Sequence, residues 1–446
     1  MTYPIWDDSH ARRVRAMIHL KGSTMVLLGA AWCAGGLMIE RQMLALFNGL
    51  LALTGASLLV LACLGRLRTA TIATAHLTPL LLCALCLLDN PAPGVPRSTH
   101  LFFLAIAAGS YFVFRRDDTY LRLILPAAYL VAFLVFALTP LRLSDPALII
   151  PPWADWPAAW VNTVSAVFAL VVTIVLMHAD LTDRRSREAE LRRAIARAEF
   201  VLHYQPQVDR NGWVTGAEAL VRWHHPKRGE VGPDDFIPLA EESGLIVPIG
   251  DFVLRAACAQ LARWHARPET AHLTLSVNIS ASQFLQPDFV PNLLETVRRS
   301  GARPCQLTLE LTESMLVGDM AATAARMQAL RESGIVWALD DLGTGYSSLR
   351  ALSGLPFGQI KIDQSFVAAM ARGEADMHII EAVTTLSRRL SLALVAEGVE
   401  TPDQFRRLVE AGCQGFQGYL FGPAVEITTF EAALPDASAA RTAAAI

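Results

Sequence analysis

Charged residues are scarce in this chain of 446 residues. Only 18% of the residues are charged, whereas 53% are hydrophobic, and the mean hydropathy is +0.36. These values are too apolar for an ordinary soluble domain and too charged for a protein that lies wholly in a membrane. The net charge of −3 lacks the basic excess that general nucleic-acid binding requires. The composition therefore predicts a membrane part and a soluble part, with no nucleic-acid polymer as partner.

A disulfide framework is also absent, because none of the seven cysteines has a spacing that suggests one. Cys83 and Cys86 form a CxxC pair, but the surrounding run is apolar and no second pair follows. We interpret both as packing residues rather than metal ligands. The lack of a framework is typical of a reducing compartment, as expected for a cytoplasmic soluble part.

The apolar character is concentrated in the first 178 residues. Six apolar stretches follow one another, at 24–39, 43–64, 72–88, 99–114, 123–138 and 160–177. Several are shorter than the roughly 20 residues of a spanning helix, so their ends must include flanking residues. We predict a six-span membrane domain at 1–178. A secretory signal is the alternative for the first stretch, but no cleavage-like site precedes residue 39 and five stretches follow.

The basic residues indicate how these spans are oriented. Six spans place both termini on one side, and the loops on that side carry Arg12, Arg13, Arg15, Lys21, Arg66, Arg68, Arg115, Arg116, Arg122, Arg184, Arg185 and Arg187. The opposite loops carry only Arg41, Arg97 and Arg142. By the positive-inside rule, both termini and the soluble part lie in the cytoplasm.

Ionisable side chains are rare within the predicted spans. His76 lies well inside one span, and His100 and His178 lie near span ends. A histidine at such a position is consistent with a proton, metal or haem sensor. We favour the alternative, a neutral histidine that is hydrogen-bonded to a neighbouring helix. No motif in this half identifies a stimulus.

A charged segment at 179–198 joins the two halves. Leu181, Leu191 and Ile195 recur at helical spacing among charges of both signs, which indicates an amphipathic connector helix continuous with the last span. The helix could transmit movement, pair with a second copy or serve only as a tether. The alanine-rich end at 436–446 is typical of a disordered tail.

The second half alternates apolar, strand-like runs with helix-period segments. Polar side chains stand at or just past the ends of these runs, namely Glu218, Asn278, Glu310, Glu313, Asp340, Asp341, Lys361 and Glu397. Buried parallel strands are continuous apolar runs, so these charges are out of place as core residues. Contributions from at least six strands favour a closed barrel over an open doubly wound sheet, which gathers its ligand at one switch point. We predict a TIM-like α/β barrel at 187–435.

Oxygen atoms dominate this set of side chains, which contains no cysteine and no paired histidine. Such a set selects hard divalent ions, Mg²⁺ or Mn²⁺, over Zn²⁺. His224 and His225 follow one strand, but adjacent residues point in divergent directions, so we exclude both from the metal site. Asp363 opens a helical pattern, and we interpret it as a helix cap.

Seven motifs in this half resemble those of the EAL family of cyclic di-GMP phosphodiesterases in order and spacing. They are GAEALVRW, SVNIS, LTLELTES, ALDDLGTGYSSL, IKIDQSFV, VAEGVE and QGYLFG. The similarity covers about 187–434, and no GGDEF-type cyclase segment is present. The resemblance implies hydrolysis of cyclic di-GMP to linear pGpG with two Mg²⁺ or Mn²⁺ ions. The membrane half loosely resembles the multi-span sensory regions of bacterial signalling enzymes, which implies a location in the bacterial inner membrane.

The resemblance further implies roles for individual residues. The implied metal ligands are Glu218, Asn278, Glu310, Asp340, Asp341 and Glu397. The implied catalytic residues are Glu397 as general base or metal ligand, Lys361 as the residue that holds the attacking water, and Glu218. Contacts with the dinucleotide are implied for Gln205, Arg222 and Gln417, and support of the loop after Asp341 for Glu313 and Glu400. An ordinary ion pair at the barrel rim is the alternative for Arg222 and Glu400.

Two positions depart from the family pattern. Leu342 stands where the loop usually has Phe, and GPAV follows QGYLF where a basic residue and a proline are common. We therefore expect local differences in the packing of the loop and at the pocket edge. Metal binding is not affected by either change.

Three functions are compatible with this organisation. The first is a membrane-anchored cyclic di-GMP phosphodiesterase, and the second is a receptor that binds the dinucleotide without cleaving it. Receptors in the family usually lack a metal ligand or the base, whereas every such position is filled here. The third is a regulated transporter, which generally needs more intramembrane charge than His76 provides. The resemblance also implies a homodimer, since family members commonly dimerise through the barrel and its loop after Asp341. Parallel connector helices could support the same arrangement by meeting along their apolar stripes.

Overall fold

The computed structural model describes residues 8–115, 117–143, 151–312, 315, 319–342, 354–370 and 374–434. Glu313 and the tail at 436–446 therefore lie outside the described residues, as does the loop after Leu342 up to residue 353. The chain divides into two compact units, 2–186 and 187–446.

The first unit is helical. Its helices are α1 (Asp8–Met38), α2 (Gln42–Cys63), α3 (Leu67–Leu88), α4 (Phe102–Val113), α5 (Leu125–Leu138) and α6 (Pro152–Ala196). Helix α6 runs without interruption past the unit's end and includes most of the predicted connector. The amphipathic connector at 179–198 stays a prediction, and this helix includes its residues up to Ala196.

Four helices in the described part of the chain are long and apolar enough to cross a membrane: Gln42–Cys63, Leu67–Leu88, Tyr120–Leu138 and Trp153–Ala196. The fourth predicted span falls in the shorter apolar helix Thr99–Val113. The first predicted span falls in α1, whose N-terminal half carries several basic residues. The apolar helical region is confirmed, while the count of six spans stays a prediction.

Helices α1 and α2 pack closely through glycines that recur every seven residues along α1. A Cβ atom at Gly29 would lie 2.7 Å from the carbonyl oxygen of Asn48, and one at Gly36 would lie 2.9 Å from the amide nitrogen of Ala45. No side chain fits at these distances. Small residues that allow such an approach are typical of helix pairs in membranes.

Two polar contacts in this unit join residues that are far apart in the sequence. Asp180 is 1% exposed and forms ion pairs with Arg13, at 2.9 Å, and with Arg115. One ring nitrogen of His76 lies 2.9 Å from the carbonyl oxygen of Ile72, and the other lies 3.1 Å from the Tyr120 hydroxyl. The contact with Tyr120 joins α3 to the helix Tyr120–Leu138, as the alternative of a hydrogen bond to a neighbouring helix expects.

The second unit is a closed barrel. Its described strands are β1 (Phe200–Asp209), β2 (Val214–His225), β3 (Gly229–Val231), β4 (Thr274–Asn278), β5 (Leu307–Thr312), β6 (Val336–Leu342), β7 (Gln359–Ile362), β8 (Ala393–Ala396) and β9 (Gly415–Gln417). The strand order is β1-β9-β8-β7-β6-β5-β4-β2, and β1 also pairs with β2, so eight strands close the ring. Strand β3 pairs with β2 outside this ring. The barrel prediction is confirmed, and the open sheet is excluded.

One strand departs from the simple β/α alternation. Strand β1 pairs antiparallel with both of its neighbours, whereas the other strand pairs within the ring are parallel. A short turn through Asn211 and Gly212 joins β1 to β2, and Gly212 has φ +82°. The Asn-Gly turn is a known hairpin signal, so the sequence did contain a sign of this reversal.

Helices surround the strands of the barrel. They are Pro233–Ser243, Ile246–His265, Ala281–Phe284, Phe289–Ser300, Met320–Glu332, Gln364–Ala369, Glu374–Arg389, Pro402–Ala411 and Ile427–Ala432. The Asp363 carboxylate accepts a hydrogen bond of 2.9 Å from the Ser365 amide, which confirms its interpretation as a helix cap. Strand side chains such as Leu275, Leu309 and Ile360 are fully buried, so the strand ends are held in fixed positions.

Candidate active site

Each of the eight strands that close the barrel contributes one polar side chain to a single connected cluster. The members are Gln205 on β1, Glu218 on β2, Asn278 on β4, Glu310 on β5, Asp340 on β6, Lys361 on β7, Glu397 directly after β8 and Gln417 on β9. The parallel strands end in register at one face of the barrel, which brings together residues that are far apart in the sequence.

Lys361 lies at the centre of the cluster. Its Nζ atom is 2.6 Å from Glu310 Oε2, 2.5 Å from Glu397 Oε1, 3.4 Å from Glu218 Oε2 and 3.5 Å from Asp340 Oδ1. The lysine side chain is only 1% exposed. A buried ammonium is stable only when carboxylates surround it, and here four carboxylates share one ammonium.

Glu218 is held by amide donors as well as by the lysine. Asn278 Nδ2 donates to Glu218 Oε1 at 2.6 Å, and Gln417 Nε2 donates to Glu218 Oε2 at 2.7 Å. Gln417 also donates to Gln205 Oε1 at 3.0 Å, and Gln207 donates to Gln417 Oε1 at 2.9 Å. Both oxygens of Glu218 are therefore fixed in position.

Glu310 has a different environment, although it is equally buried. Its Oε2 atom contacts Lys361, but its buried Oε1 atom has no hydrogen-bond partner. An unpaired buried carboxylate oxygen carries a large desolvation penalty. This oxygen is consequently free to bind a cation.

These environments move the pKa values of the carboxyl groups in opposite directions. Burial raises the pKa of Glu310 well above its ordinary value despite Lys361. Burial likewise raises the pKa of Glu397 to about 8, against the attraction of Lys361. Burial also opposes the ionisation of Glu218, but Lys361 and the amide donors outweigh it, so the pKa of Glu218 is lowered. The pKa of Lys361 is raised well above its ordinary value, because the four carboxylates outweigh the effect of burial.

The donor set fits hard divalent cations. It combines four carboxylates with the Asn278 amide, leaves one buried oxygen of Glu310 unpaired and has more negative than positive charge. Mg²⁺ and Mn²⁺ prefer oxygen ligands of this kind. Glu218, Asn278, Glu310, Asp340 and Glu397 are the residues that would hold such ions.

Two predicted site residues are not fully described. Asp341 follows Asp340 in β6, where the pairing with β7 is irregular between Leu339 and Leu342, but its side chain is outside the described part. Glu313 lies outside the described residues altogether. Their roles stay predictions. Glu400 is exposed, and its backbone amide donates to the Gln404 side chain at 2.8 Å.

Arg222 lies on the same strand as Glu218, closer to the strand's C-terminal end. Its Nε atom is 3.6 Å from Glu230 Oε1, so its ion-pair partner is Glu230 and not Glu400. Arg222 thus forms an ion pair, as the alternative interpretation expects, but with Glu230 instead of Glu400. The guanidinium is 16% exposed and remains accessible to a phosphate group.

Some residues that take part in this region were not found from the sequence. Gln207, two residues after Gln205 on β1, is the neighbour that holds Gln417. The two-residue alternation along a strand was the available signal. His225 turns away from the site to contact Glu190 at 2.9 Å, which agrees with its exclusion from the metal ligands.

Comparisons with known proteins agree with this geometry. Residues 188–424 match a family model described as the EAL domain. The bifunctional diguanylate cyclase/cyclic di-GMP phosphodiesterase MucR of Pseudomonas aeruginosa is 41% identical over 247 residues, which are 55% of this chain and 36% of MucR. The cyclic di-GMP phosphodiesterase NbdA of the same organism is 39% identical over 251 residues, which are 56% of this chain and 32% of NbdA.

A solved structure of the PaMucR phosphodiesterase in a c-di-GMP complex is also similar, with 41% identity and a TM-score of 0.52. The match covers 54% of this chain and 98% of that chain. The chain spans only about a third of the length of the curated relatives. The matched family region, 188–424, lies within the second unit.

Proposed function

This chain belongs to the EAL domain family, and from that premise we propose that it is a phosphodiesterase that hydrolyses cyclic di-GMP to linear pGpG. Two relatives are named as cyclic di-GMP phosphodiesterases, and a similar solved structure is a c-di-GMP complex. The observation that carries the proposal is the buried lysine that shares its ammonium with four carboxylates. A receptor that binds without cleaving has no need of this costly arrangement.

We propose that Lys361, Glu397 and Glu218 act on the reacting atoms. Lys361 Nζ has only hydrogen-bond donors, so it can hold the oxygen of an attacking water molecule. Glu397 Oε1 lies 2.5 Å from that atom and is a suitable acceptor for the water's proton. Glu218 stays ionised, because Lys361 and the amide donors lower its pKa.

The remaining predicted residues would bind the metal ions and the substrate. A pair of Mg²⁺ or Mn²⁺ ions would supply positive charge to neutralise the phosphate during in-line displacement. The ligands proposed for them are Glu218, Asn278, Glu310, Asp340, Asp341 and Glu397. Gln205 and Gln417 would line the dinucleotide pocket, and Arg222 would donate its planar fork to a phosphate. Glu313 and Glu400 would support the loop after Asp341.

The helical unit is proposed to anchor the enzyme. We propose a sensor domain at 1–178 with six spans in the bacterial inner membrane, a connector at 179–198 and a barrel at 187–435 in the cytoplasm. The long apolar helices and the basic loops support this arrangement. A homodimer is proposed as well, with the connector helices in contact. A monomeric mass for the active protein in detergent would contradict it.

The direct test is hydrolysis of cyclic di-GMP by the full chain in detergent, with Mg²⁺, with Mn²⁺ and with EDTA. Glu218→Gln removes a proposed ligand without changing the size of the side chain. Glu269→Gln is the matched control, because Glu269 is exposed and lies away from the cluster. We expect metal-dependent formation of pGpG by the wild type and the control, and none by Glu218→Gln.

Binding should be measured on the same samples by equilibrium dialysis. If the wild type binds cyclic di-GMP but releases no pGpG with either metal, the protein is a receptor and the proposal is wrong. If Glu218→Gln cleaves as fast as the control, the carboxylate cluster is not the active site.

A further inference from the structure

Three side chains outside the proposed active-site cluster converge on one point. The ligand atoms of His203, His224 and Glu230 all lie within 4.8 Å of one another. His203 Nε2 is 3.2 Å from Glu230 Oε2, and His224 Nε2 is 3.9 Å from the same oxygen. The three residues come from three adjacent strands, β1, β2 and β3.

The strand pairing explains why these residues share one face. His224 pairs directly with Glu230 across β2 and β3, and His203 pairs with Leu220 across β1 and β2. Leu220 and His224 are four residues apart on one strand, so both point to the same side. Glu218 and Gln205 also form a pair in this register and lie on that side. The cluster is therefore beyond the active-site cluster, toward the C-terminal end of β2.

His203 is the buried member of this group of three side chains. The His203 side chain is only 8% exposed, and its Nε2 atom is buried without a hydrogen-bond partner. The nitrogen is within ion-pair distance of Glu230 Oε2, at 3.2 Å, but the two atoms form no hydrogen bond, so the burial of the nitrogen is costly. The other two side chains are half-exposed, at 50% for His224 and 43% for Glu230, so the point is open to solvent on one side.

Arg222 fixes the orientation of the carboxylate. Its Nε atom lies 3.6 Å from Glu230 Oε1, whereas both histidines approach Oε2. One oxygen of Glu230 thus faces a cation of the protein, and the other faces two imidazole rings. A neighbour that orients a ligand in this way is usual around metal ions in proteins.

We propose that His203, His224 and Glu230 form a binding site for a divalent transition-metal ion of the zinc class. Two imidazole nitrogens and one carboxylate oxygen match the three protein ligands of zinc sites that keep one position open. The nitrogen ligands distinguish this site from the all-oxygen cluster around Lys361, because imidazole favours transition metals over Mg²⁺. The bound ion would connect three strands and would face the same end of the barrel as the active site. The proposal does not depend on the phosphodiesterase activity.

The test is zinc binding by the full chain without added histidines, purified in detergent and freed of metal with a chelator. Titration with Zn²⁺ takes place in excess Mg²⁺, which occupies the oxygen cluster, and bound zinc is counted by elemental analysis after gel filtration. His224→Gln and Glu230→Gln each remove one half-exposed ligand with little risk to the fold. His272→Gln is the matched control, because His272 is exposed, lies two residues before β4 and contacts Val214 at the opposite end of β2 from His224.

We expect the wild type and His272→Gln to retain one more zinc ion per chain than His224→Gln and Glu230→Gln. Co²⁺ provides an independent readout, since nitrogen ligation in a four-coordinate site gives strong visible absorption. That absorption should be present in the wild type and lost in His224→Gln. Equal zinc content in all four proteins, or an unchanged Co²⁺ spectrum in His224→Gln, would overturn the proposal.

Discussion

The barrel and the helical region both bury charged side chains, but they neutralise them in opposite ways. In the helical region, one buried carboxylate, Asp180, is matched by the two arginines Arg13 and Arg115. In the barrel, one buried ammonium, Lys361, is surrounded by four carboxylates. The first arrangement leaves no negative charge in excess. The second leaves an excess that calls for a bound cation.

This difference separates a charge cluster that holds a fold together from one that is prepared for a ligand. A protein that needed only stability would do as well with apolar side chains of similar volume in place of buried ions. The unpaired Oε1 atom of Glu310 shows that the barrel cluster is not satisfied by its own residues. We therefore expect the two clusters to respond differently to mutation, metal and pH.

The largest effect is expected for Lys361→Met. The substitution leaves the carboxylates without a counter-charge, so hydrolysis of cyclic di-GMP should fall at least about 100-fold. The metal-free barrel should lose about 3–5 kcal/mol of stability, because one partner of a buried ion cluster is removed. Thermal unfolding of residues 187–446 in EDTA measures this loss, and added Mg²⁺ should restore part of it.

Lys227→Met is the control for this prediction, since Lys227 is exposed and should tolerate the change. Equal stability of Lys361→Met and Lys227→Met in EDTA would show that the carboxylates do not depend on Lys361. The buried charges of the barrel would then not differ from those of the helical region in the way proposed above.

A smaller effect is expected for Asp180→Asn in the helical region. The substitution leaves Arg13 and Arg115 without their shared buried carboxylate, which should cost about 3 kcal/mol. The measurement is thermal unfolding of the full chain in detergent, in which EDTA and Mg²⁺ should make no difference to the loss. Asp183→Asn is the control, because Asp183 also contacts Arg13 but is 53% exposed. A similar loss in both variants would show that burial of the ion pair is not what matters.

The metal-free barrel should become less stable as the pH rises. Burial raises the pKa of Glu397 to about 8, so the folded state holds a proton that the unfolded chain releases near its ordinary pKa. The stabilisation is complete below the unfolded pKa and is lost as the pH rises toward about 8. Between pH 5 and 8 we expect a loss of at least about 1 kcal/mol, or about 3 °C.

Glu397→Gln should flatten this pH dependence in EDTA, because the substituted amide does not titrate. Mg²⁺ should flatten it as well, since a bound cation favours the ionised carboxylate. A metal-free barrel that gains stability over the same pH range would contradict the assigned environment of Glu397.

The site could be predicted from the sequence because its residues follow apolar runs. Asn278 after LTLSV and Glu310 within LTLEL stand at strand ends whatever the exact register of the strands. The cluster of His203, His224 and Glu230 could not be predicted in this way, because its existence depends on the pairing of three strands. Adjacent histidines point in divergent directions, and His225 does lie away from the site, against Glu190. His224, however, lies close to His203 on β1, and a rule about neighbours in the sequence cannot predict that contact.

The number of membrane spans is harder to predict from the sequence than the presence of the apolar region. Apolar composition identified the helical region, but length decides whether a helix crosses a membrane, and the helix Thr99–Val113 is short. The antiparallel direction of β1 does not follow from the alternation of strands and helices, whereas the Asn211-Gly212 turn between β1 and β2 is a local signal of it. Local turn chemistry was in this case the better guide to topology.

The smallest effect is expected for His76→Gln. Its ring contacts Tyr120 and the Ile72 carbonyl, and hydrogen bonds between membrane helices contribute about 0.6 kcal/mol on average. A structural histidine of this kind should change hydrolysis by less than about twofold, and the rate should keep its pH profile. Assays of full-length wild type and His76→Gln in lipid vesicles between pH 5.5 and 8 measure this. If the substitution removes a pH response that the wild type shows, His76 is a proton sensor. In that case the helical region, like the barrel, contains a polar side chain that serves function rather than packing.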